Sequence, residues 1–164
     1  MFDRITHERQ RSLARIRVHL AERLAAEEVV VMGPAGHLIP KQLTQVLRVA
    51  LVAEQGYRAG VAAGTESIST ASAIKLLRKD DQRWQGLTLQ LFGLAPWDSR
   101  LHDVVIPMHS TTVEAAVELV VHSAAKPAMK DTPGTRQATR DFVLASQVQL
   151  ALADRGHDVE VQAD

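Results

Sequence analysis

The chain has 164 residues and a mass of 18.0 kDa, which suits one domain or a domain with a short appendage. It contains no cysteine, which excludes disulfides, thiol catalysis and cysteine-ligated metal sites. Lys+Arg and Asp+Glu both total 19, so the chain has no net positive charge that would attract nucleic acid or an anionic membrane. Aromatic residues make up only 4%, too few for a base-stacking surface, and no apolar run approaches the ~20 residues of a membrane span, so the sequence predicts a soluble, cytoplasmic protein.

The first 26 residues are predicted to form an amphipathic helix. Apolar residues recur at helical spacing at Ile5, Leu13, Ile16, Leu20 and Leu24, and arginines lie between them. This pattern favours a helix with a solvated basic face, and a partner-binding or coiled-coil arm is the alternative. Nucleic-acid binding is disfavoured, because the local excess of arginine is offset elsewhere in the chain and aromatic residues are few.

Three apolar runs are typical of buried strands. They are Glu28–Met32, Val46–Ala53 and His102–Pro107. Helical segments separate them, which predicts a parallel sheet covered on both faces and therefore an α/β fold. Pro107 ends the third run, because proline cannot continue a central ladder.

Helical patterns follow the second and third of these runs. The spacing predicts helices at Glu54–Ala63 and Ser67–Phe92, the second ended by Gly93. A further helix, Val113–Ala125, opens on capping-box spacing at Thr111–Glu114. These helices are expected to supply the layers that cover the sheet.

A loop with prolines and polar residues, Lys126–Gly134, marks a boundary. Beyond it the sequence predicts an amphipathic helix over Thr135–Asp154 with Gly156 as its stop, and then an alternating strand over Asp158–Ala163. That strand could pair with a partner chain, extend an edge of the sheet or begin a further module. The predicted organisation is an N-terminal amphipathic helix at 1–26, an α/β core at 27–126 and a helix–strand appendage at 134–164.

The loop Gly33–Gly36 follows a predicted strand, as a phosphate-binding loop does, but it lacks the residues that such a loop needs. A nucleoside triphosphate cradle requires a lysine and a Ser/Thr hydroxyl at the start of the next helix. Here His37, Leu38 and Ile39 follow the loop, and Pro34 removes a backbone donor. A simple strand-to-loop turn is favoured, and no catalytic residue is predicted.

The seven histidines do not have the spacing of metal ligands. They form no i, i+4 pair on a helix and no His-x-Glu or His-x-Asp motif, so neither a metal nor a cofactor is predicted. His37, in the apical loop, is kept as a candidate ligand contact.

The densest charged run, Arg78–Arg83, lies on the long predicted helix. Arg78 and Arg83 are separated by about 140° of helical arc, with Asp81 between them in height. Two guanidinium groups placed in this way can hold a phosphate while the carboxylate orients one of them. Solvated ion pairs along the helix, worth roughly 0.2–0.5 kcal/mol each, are the alternative.

Six segments, taken in order and with their spacing, carry a resemblance to a known family. They are Val49–Ala53, Tyr57-Arg58, Arg78–Arg83, Leu91–Gly93 with Trp97-Asp98, His102–Ile106 and Thr112–Leu119. Over about Glu27–Ala125 they resemble the cytidylate-kinase-like branch of the nucleoside monophosphate kinases. The resemblance implies a parallel sheet flanked by helices, like the carboxyl-terminal part of such a kinase, and a lid region with ligand-binding arginines.

Departures from the family pattern bear on catalysis. The family's phosphate loop and first strand are missing, because residues 1–26 have a helical pattern. Pro34 replaces an arginine that contacts the acceptor nucleotide, and Pro107 stands where the family's strand ends in asparagine. The lid positions survive at Arg58, Arg78, Asp81 and Arg83. The expected ligand site consists of these four residues together with His37 from the apical loop.

Phosphoryl transfer depends on a cradle, a lysine and magnesium that position and neutralise the phosphates. Without that cradle and lysine, the sequence predicts a non-catalytic regulatory or ligand-sensing module, a pseudokinase that binds a nucleotide or phosphate. It is expected to assemble with a second copy or with another protein. Two alternatives stay open: a structural or protein-interaction module with no small ligand, and a CMP kinase-type phosphotransferase that takes its phosphate loop from another chain.

Overall fold

The computed structural model describes residues 2–157 and 159–162, with side chains from residue 7 onward. The chain divides into two compact units, one made of Met1–Val46 and Pro127–Asp164 and the other of Leu47–Lys126. In chain order, the helices and strands are α1 (Phe2–Ala26), β1 (Val49–Val52), α2 (Gln55–Glu66), α3 (Thr70–Phe92), β2 (Val104–Pro107), α4 (Val113–Ala124) and α5 (Pro133–Asp154). Short 3-10 helices lie at Pro34–Leu38, Ser99–Leu101 and Pro127–Met129.

The first unit is built on the packing of α1 against α5. Its apolar core joins both helices to the segment after α1, and its buried members are Leu20, Ala21, Ile39, Leu43 and Phe142. The predicted N-terminal helix is therefore confirmed, and one face of it is buried in this core rather than free as an arm.

Local signals set the ends of α5. Thr132 caps the helix, with its hydroxyl accepting from the Thr135 amide at 3.1 Å, and Pro133 occupies the first turn, where no backbone donor is lost. After the helix, Gly156 adopts a φ of 83°, which a glycine adopts without strain. The predicted helix is confirmed and begins two residues earlier than expected.

The second unit contains a parallel pair of strands. β1 and β2 align Val49 with Val104 and Val52 with Pro107. Pro107 takes the last position of this ladder, and the Met108 amide donates to the Val52 carbonyl at 2.7 Å just beyond it. The two strands lie inside the predicted runs, and the mixed α/β class, a parallel sheet with flanking helices, is confirmed.

The strand predicted at Glu28–Met32 is wrong. Those residues belong to no helix or strand, and Val30 and Met32 expose 91% and 90% of their surface. An apolar run becomes a buried strand only where a neighbouring strand offers its edge, and a local pattern does not supply that information. Val159–Gln162 likewise form no strand, while Asp158 and Ala163, the ends of the predicted strand there, lie outside the described residues.

The helices of the second unit follow the predicted spacing. In α3 the Ser69 hydroxyl caps the first turn and Gly93, with a φ of 65°, ends the helix. The cap of α4 is Thr112, whose hydroxyl accepts from the Ala115 amide at 3.2 Å, one residue later than the predicted box. Within the part of the chain that is described, no helix is long and apolar enough to cross a membrane.

Candidate functional site

A bidentate ion pair joins α2 to α3. Arg58 donates from Nη1 to Oδ2 of Asp81 at 2.9 Å and from Nη2 to Oδ1 at 2.7 Å. Both side chains are partly exposed, at 35% and 40%. The planar guanidinium matches the two carboxylate oxygens, so this contact fixes the distance and the orientation between the two helices.

Electrostatics keep Arg58 charged. The hydrogen bonds that Arg58 donates to Asp81 raise the pKa of Arg58 above its ordinary value, and the negative charges of Asp81 and Asp80 add to this effect against the opposing influence of burial. Because the pKa of Arg58 is raised, its guanidinium stays charged at every pH below the ordinary pKa of arginine. The stabilisation that this pair provides therefore does not depend on the titration of Arg58 near neutral pH.

A row of cations occupies another face of α3. Lys75, Arg78 and Lys79, followed by Gln82, line a surface groove of about 460 Å³ with Ala71 and Ile74. Among the described residues, no ion pair or hydrogen bond engages these three cations. The only carboxylate of the predicted site, Asp81, is held by Arg58 and therefore does not pair with Arg78.

The predicted site residues are partly brought together. Arg58 and Asp81 are in direct contact, and Arg78 lies in the groove. Arg83 is exposed on α3 outside the groove lining. His37 lies in the 3-10 helix Pro34–Leu38, which belongs to the other unit.

Sequence reasoning missed three members of the groove, Lys75, Lys79 and Gln82. Their spacing with Arg78 is i, i+3, i+4 and i+7, which places all four on one helix face. A search for cations at that spacing would have found Lys75 and Lys79 beside Arg78, although not the neutral Gln82. Arg78 and Arg83, which the sequence analysis paired, are five residues apart and point in different directions.

The Gly33–Gly36 loop is a tight turn whose backbone bonds to itself. The Gly36 amide donates to the Gly33 carbonyl at 3.2 Å, and the Ile39 amide donates to Gly36 at 3.2 Å. Gly33 has a φ of 104°, a conformation that favours glycine. In the described residues, no group of three or more His, Asp or Glu side chains could hold a metal ion.

The pair Arg58–Asp81 is expected to couple α2 and α3 by about 0.5–1 kcal/mol, since both partners are partly solvated. A double-mutant cycle with Arg58→Ala and Asp81→Ala, measured by urea unfolding, gives this coupling directly. The same cycle with Asp80→Ala is the control, because Asp80 attracts Arg58 only through its charge. Equal coupling in the two cycles would show that the bidentate contact contributes nothing of its own.

The comparisons with known proteins bear on residues 1–110, which match a family model described as "Cytidylate kinase-like family". The matched region comprises α1, β1, α2, α3 and β2, and it ends before α4. It begins 26 residues before the segment whose resemblance was noted in the sequence, so α1 lies within the match. No curated protein and no solved structure matches the chain.

Proposed function

Because the chain belongs to the cytidylate kinase-like family, we propose that it is a non-catalytic, ligand-sensing member whose α3 groove binds the phosphate of a nucleotide or inorganic phosphate. The observation that carries this proposal is the row Lys75, Arg78 and Lys79, which has no carboxylate partner while the neighbouring Asp81 is held by Arg58. A ligand bound at this face of α3 stabilises the unit that contains the helix. This change in stability is the physical basis of the proposed sensing.

The groove has the chemistry that a phosphate group requires. The Arg78 guanidinium can donate two parallel hydrogen bonds to phosphate oxygens, and the two lysines supply point charges one helical turn apart. The Gln82 amide adds a neutral donor, and the apolar Ile74 beside it offers contact to the uncharged part of a nucleotide. The Arg58–Asp81 pair supports this face by anchoring α3 to α2.

The non-catalytic assignment is supported by the Gly33–Gly36 loop. Two of the amides in and just after this loop bond within the turn, and Pro34 has no amide hydrogen. No lysine follows at the position that would reach the phosphates of a nucleoside triphosphate. A coupled ADP-release assay with ATP and CMP or dCMP tests this assignment, and turnover above background by the purified chain would overturn it in favour of a phosphotransferase.

Thermal-shift titration with CMP, CDP, ATP, cyclic nucleotides and inorganic phosphate, with and without magnesium, tests the ligand site. A ligand at a hundred times its dissociation constant stabilises the fold by ~2.7 kcal/mol. For a chain of 164 residues this raises the melting midpoint by roughly 5–10 °C. Arg78→Ala is expected to abolish the shift.

Arg140→Ala is the matched control, since it removes one exposed arginine from α5 in the other unit. Loss of the shift in both variants would indicate a general charge effect rather than a site in the groove. If none of the compounds shifts the midpoint, the sensing function is excluded for these ligands and the structural or protein-interaction role takes its place.

A further inference from the structure

The cations of the α3 groove form a row along the helix rather than a single cluster. Lys75, Arg78 and Lys79 are exposed and lie within about 100° of helical arc, so they share one face of α3. Lys75 and Lys79 are one turn apart, about 6 Å along the helix axis, and Arg78 lies between them in height. The positive charge of this face is therefore spread along the helix.

The two carboxylates of this stretch act on α2 and not on the groove. Asp81 accepts both hydrogen bonds of the Arg58 guanidinium, and the negative charge of Asp80 also acts on Arg58. Among the described residues, the side chains that line the groove include no carboxylate. The groove thus offers three cations and the neutral Gln82 amide to a ligand, and no acidic oxygen to a metal ion.

We propose that this groove binds a chain of two or more linked phosphates, and that it binds the chain free of magnesium. The inference rests on the phosphate site proposed above and specifies the class of its ligand. The chain is either the tail of a nucleoside di- or triphosphate or an inorganic pyrophosphate or tripolyphosphate, since both sources present the same oxygens.

The charge of the row exceeds that of one phosphate group. A single phosphate ester carries a charge of about −1.5 to −2 at neutral pH. Drawing all three cations onto it would leave them in net repulsion. A second linked phosphate adds negative charge and lengthens the ligand along the helix axis, so Arg78 donates to one group while Lys75 and Lys79 reach the ends.

Magnesium competes with the groove for the same oxygens. Sites that take a magnesium–phosphate complex supply one or two carboxylates to the metal, and the metal neutralises the phosphate charge. The described lining of the groove offers no such carboxylate, and its cations need the charge that magnesium would cancel. Bound magnesium is therefore expected to weaken the complex.

Isothermal titration calorimetry on the intact chain tests the inference with inorganic phosphate, pyrophosphate, tripolyphosphate and ATP. Each is titrated first with EDTA and then with magnesium chloride, at equal ionic strength so that screening is constant. Pyrophosphate is expected to bind at least about 10-fold more tightly than phosphate, and magnesium is expected to raise its dissociation constant by a similar factor. Equal affinity for tripolyphosphate and ATP indicates recognition of the phosphate chain alone, and tighter binding of ATP indicates a nucleotide.

Lys75→Gln removes one end of the row and is expected to weaken tripolyphosphate binding at least about 3-fold. Because Lys75 is exposed, the far-UV circular dichroism of this variant should be unchanged. Lys126→Gln is the matched control, since it removes one exposed lysine from the same unit, outside the groove lining.

The outcomes separate this inference from the proposed function. Equal affinities for phosphate and pyrophosphate, both lost in Arg78→Ala, would overturn the inference and leave the phosphate site in place. Tighter binding with magnesium would also overturn it, as would a loss in Lys126→Gln equal to that in Lys75→Gln. If none of the four compounds binds, the proposed function fails together with the inference.

Discussion

Replacing Phe142 with alanine is expected to lower the free energy of unfolding by about 3–5 kcal/mol, a large share of the stability of a domain of this size. Phe142 is 3% exposed and stands in the core cluster of the first unit, which joins α5 to α1 and to the segment after it. Alanine removes the ring and leaves a cavity, which the surrounding helices can fill only in part by shifting inward.

A second contribution comes from Arg17. Its guanidinium lies over the Phe142 ring, 5.4 Å from the centroid, and its side chain also donates to Gln149. Burial lowers the pKa of Arg17, and the face of the Phe142 ring is one of the groups that stabilise its charge. Removal of the ring therefore exposes a desolvated cation to a cavity as well as removing apolar contact.

Urea unfolding followed by far-UV circular dichroism measures the loss, since α1 and α5 form much of the helical content. Leu144→Ala is the control on the same helix, two residues away, and it is expected to cost about 1 kcal/mol or less because that side chain is exposed. Equal losses for the two variants would contradict the apolar core that α1 and α5 share.

Periodicity in the sequence was sufficient to predict the helices. The spacing of apolar residues in α1, α4 and α5, together with the residues that cap or stop them, is local information that a single segment carries. The same holds for β1 and β2, which lie inside apolar runs of the sequence. The resemblance to the cytidylate-kinase-like family likewise depends on short segments in a fixed order.

Pairing between distant segments was not available from the sequence. Glu28–Met32 has the composition of a buried strand, yet it has no ladder partner and exposes Val30 and Met32. Asp81 was expected to orient Arg78 or Arg83, which are near it in sequence, but it holds Arg58 from a different helix, 23 residues away. Both outcomes depend on which groups meet in three dimensions, and a local pattern does not specify that.

Replacing Ile106 with alanine is expected to destabilise the second unit by about 2–5 kcal/mol. Ile106 is 1% exposed on β2, where it aligns with Leu51 of β1, so the substitution creates a cavity in the only sheet of the described residues. Two parallel strands have little stability of their own and depend on the apolar contacts of their covered residues.

The fluorescence of Trp84 and Trp97 reports the unfolding of this unit, because both tryptophans lie in it. Val105→Ala is the control at the neighbouring position, where the side chain is 48% exposed, and Ile106→Val should cost only about 0.5–1.5 kcal/mol. A loss for Val105→Ala as large as that for Ile106→Ala would mean that β2 has no preferred buried face.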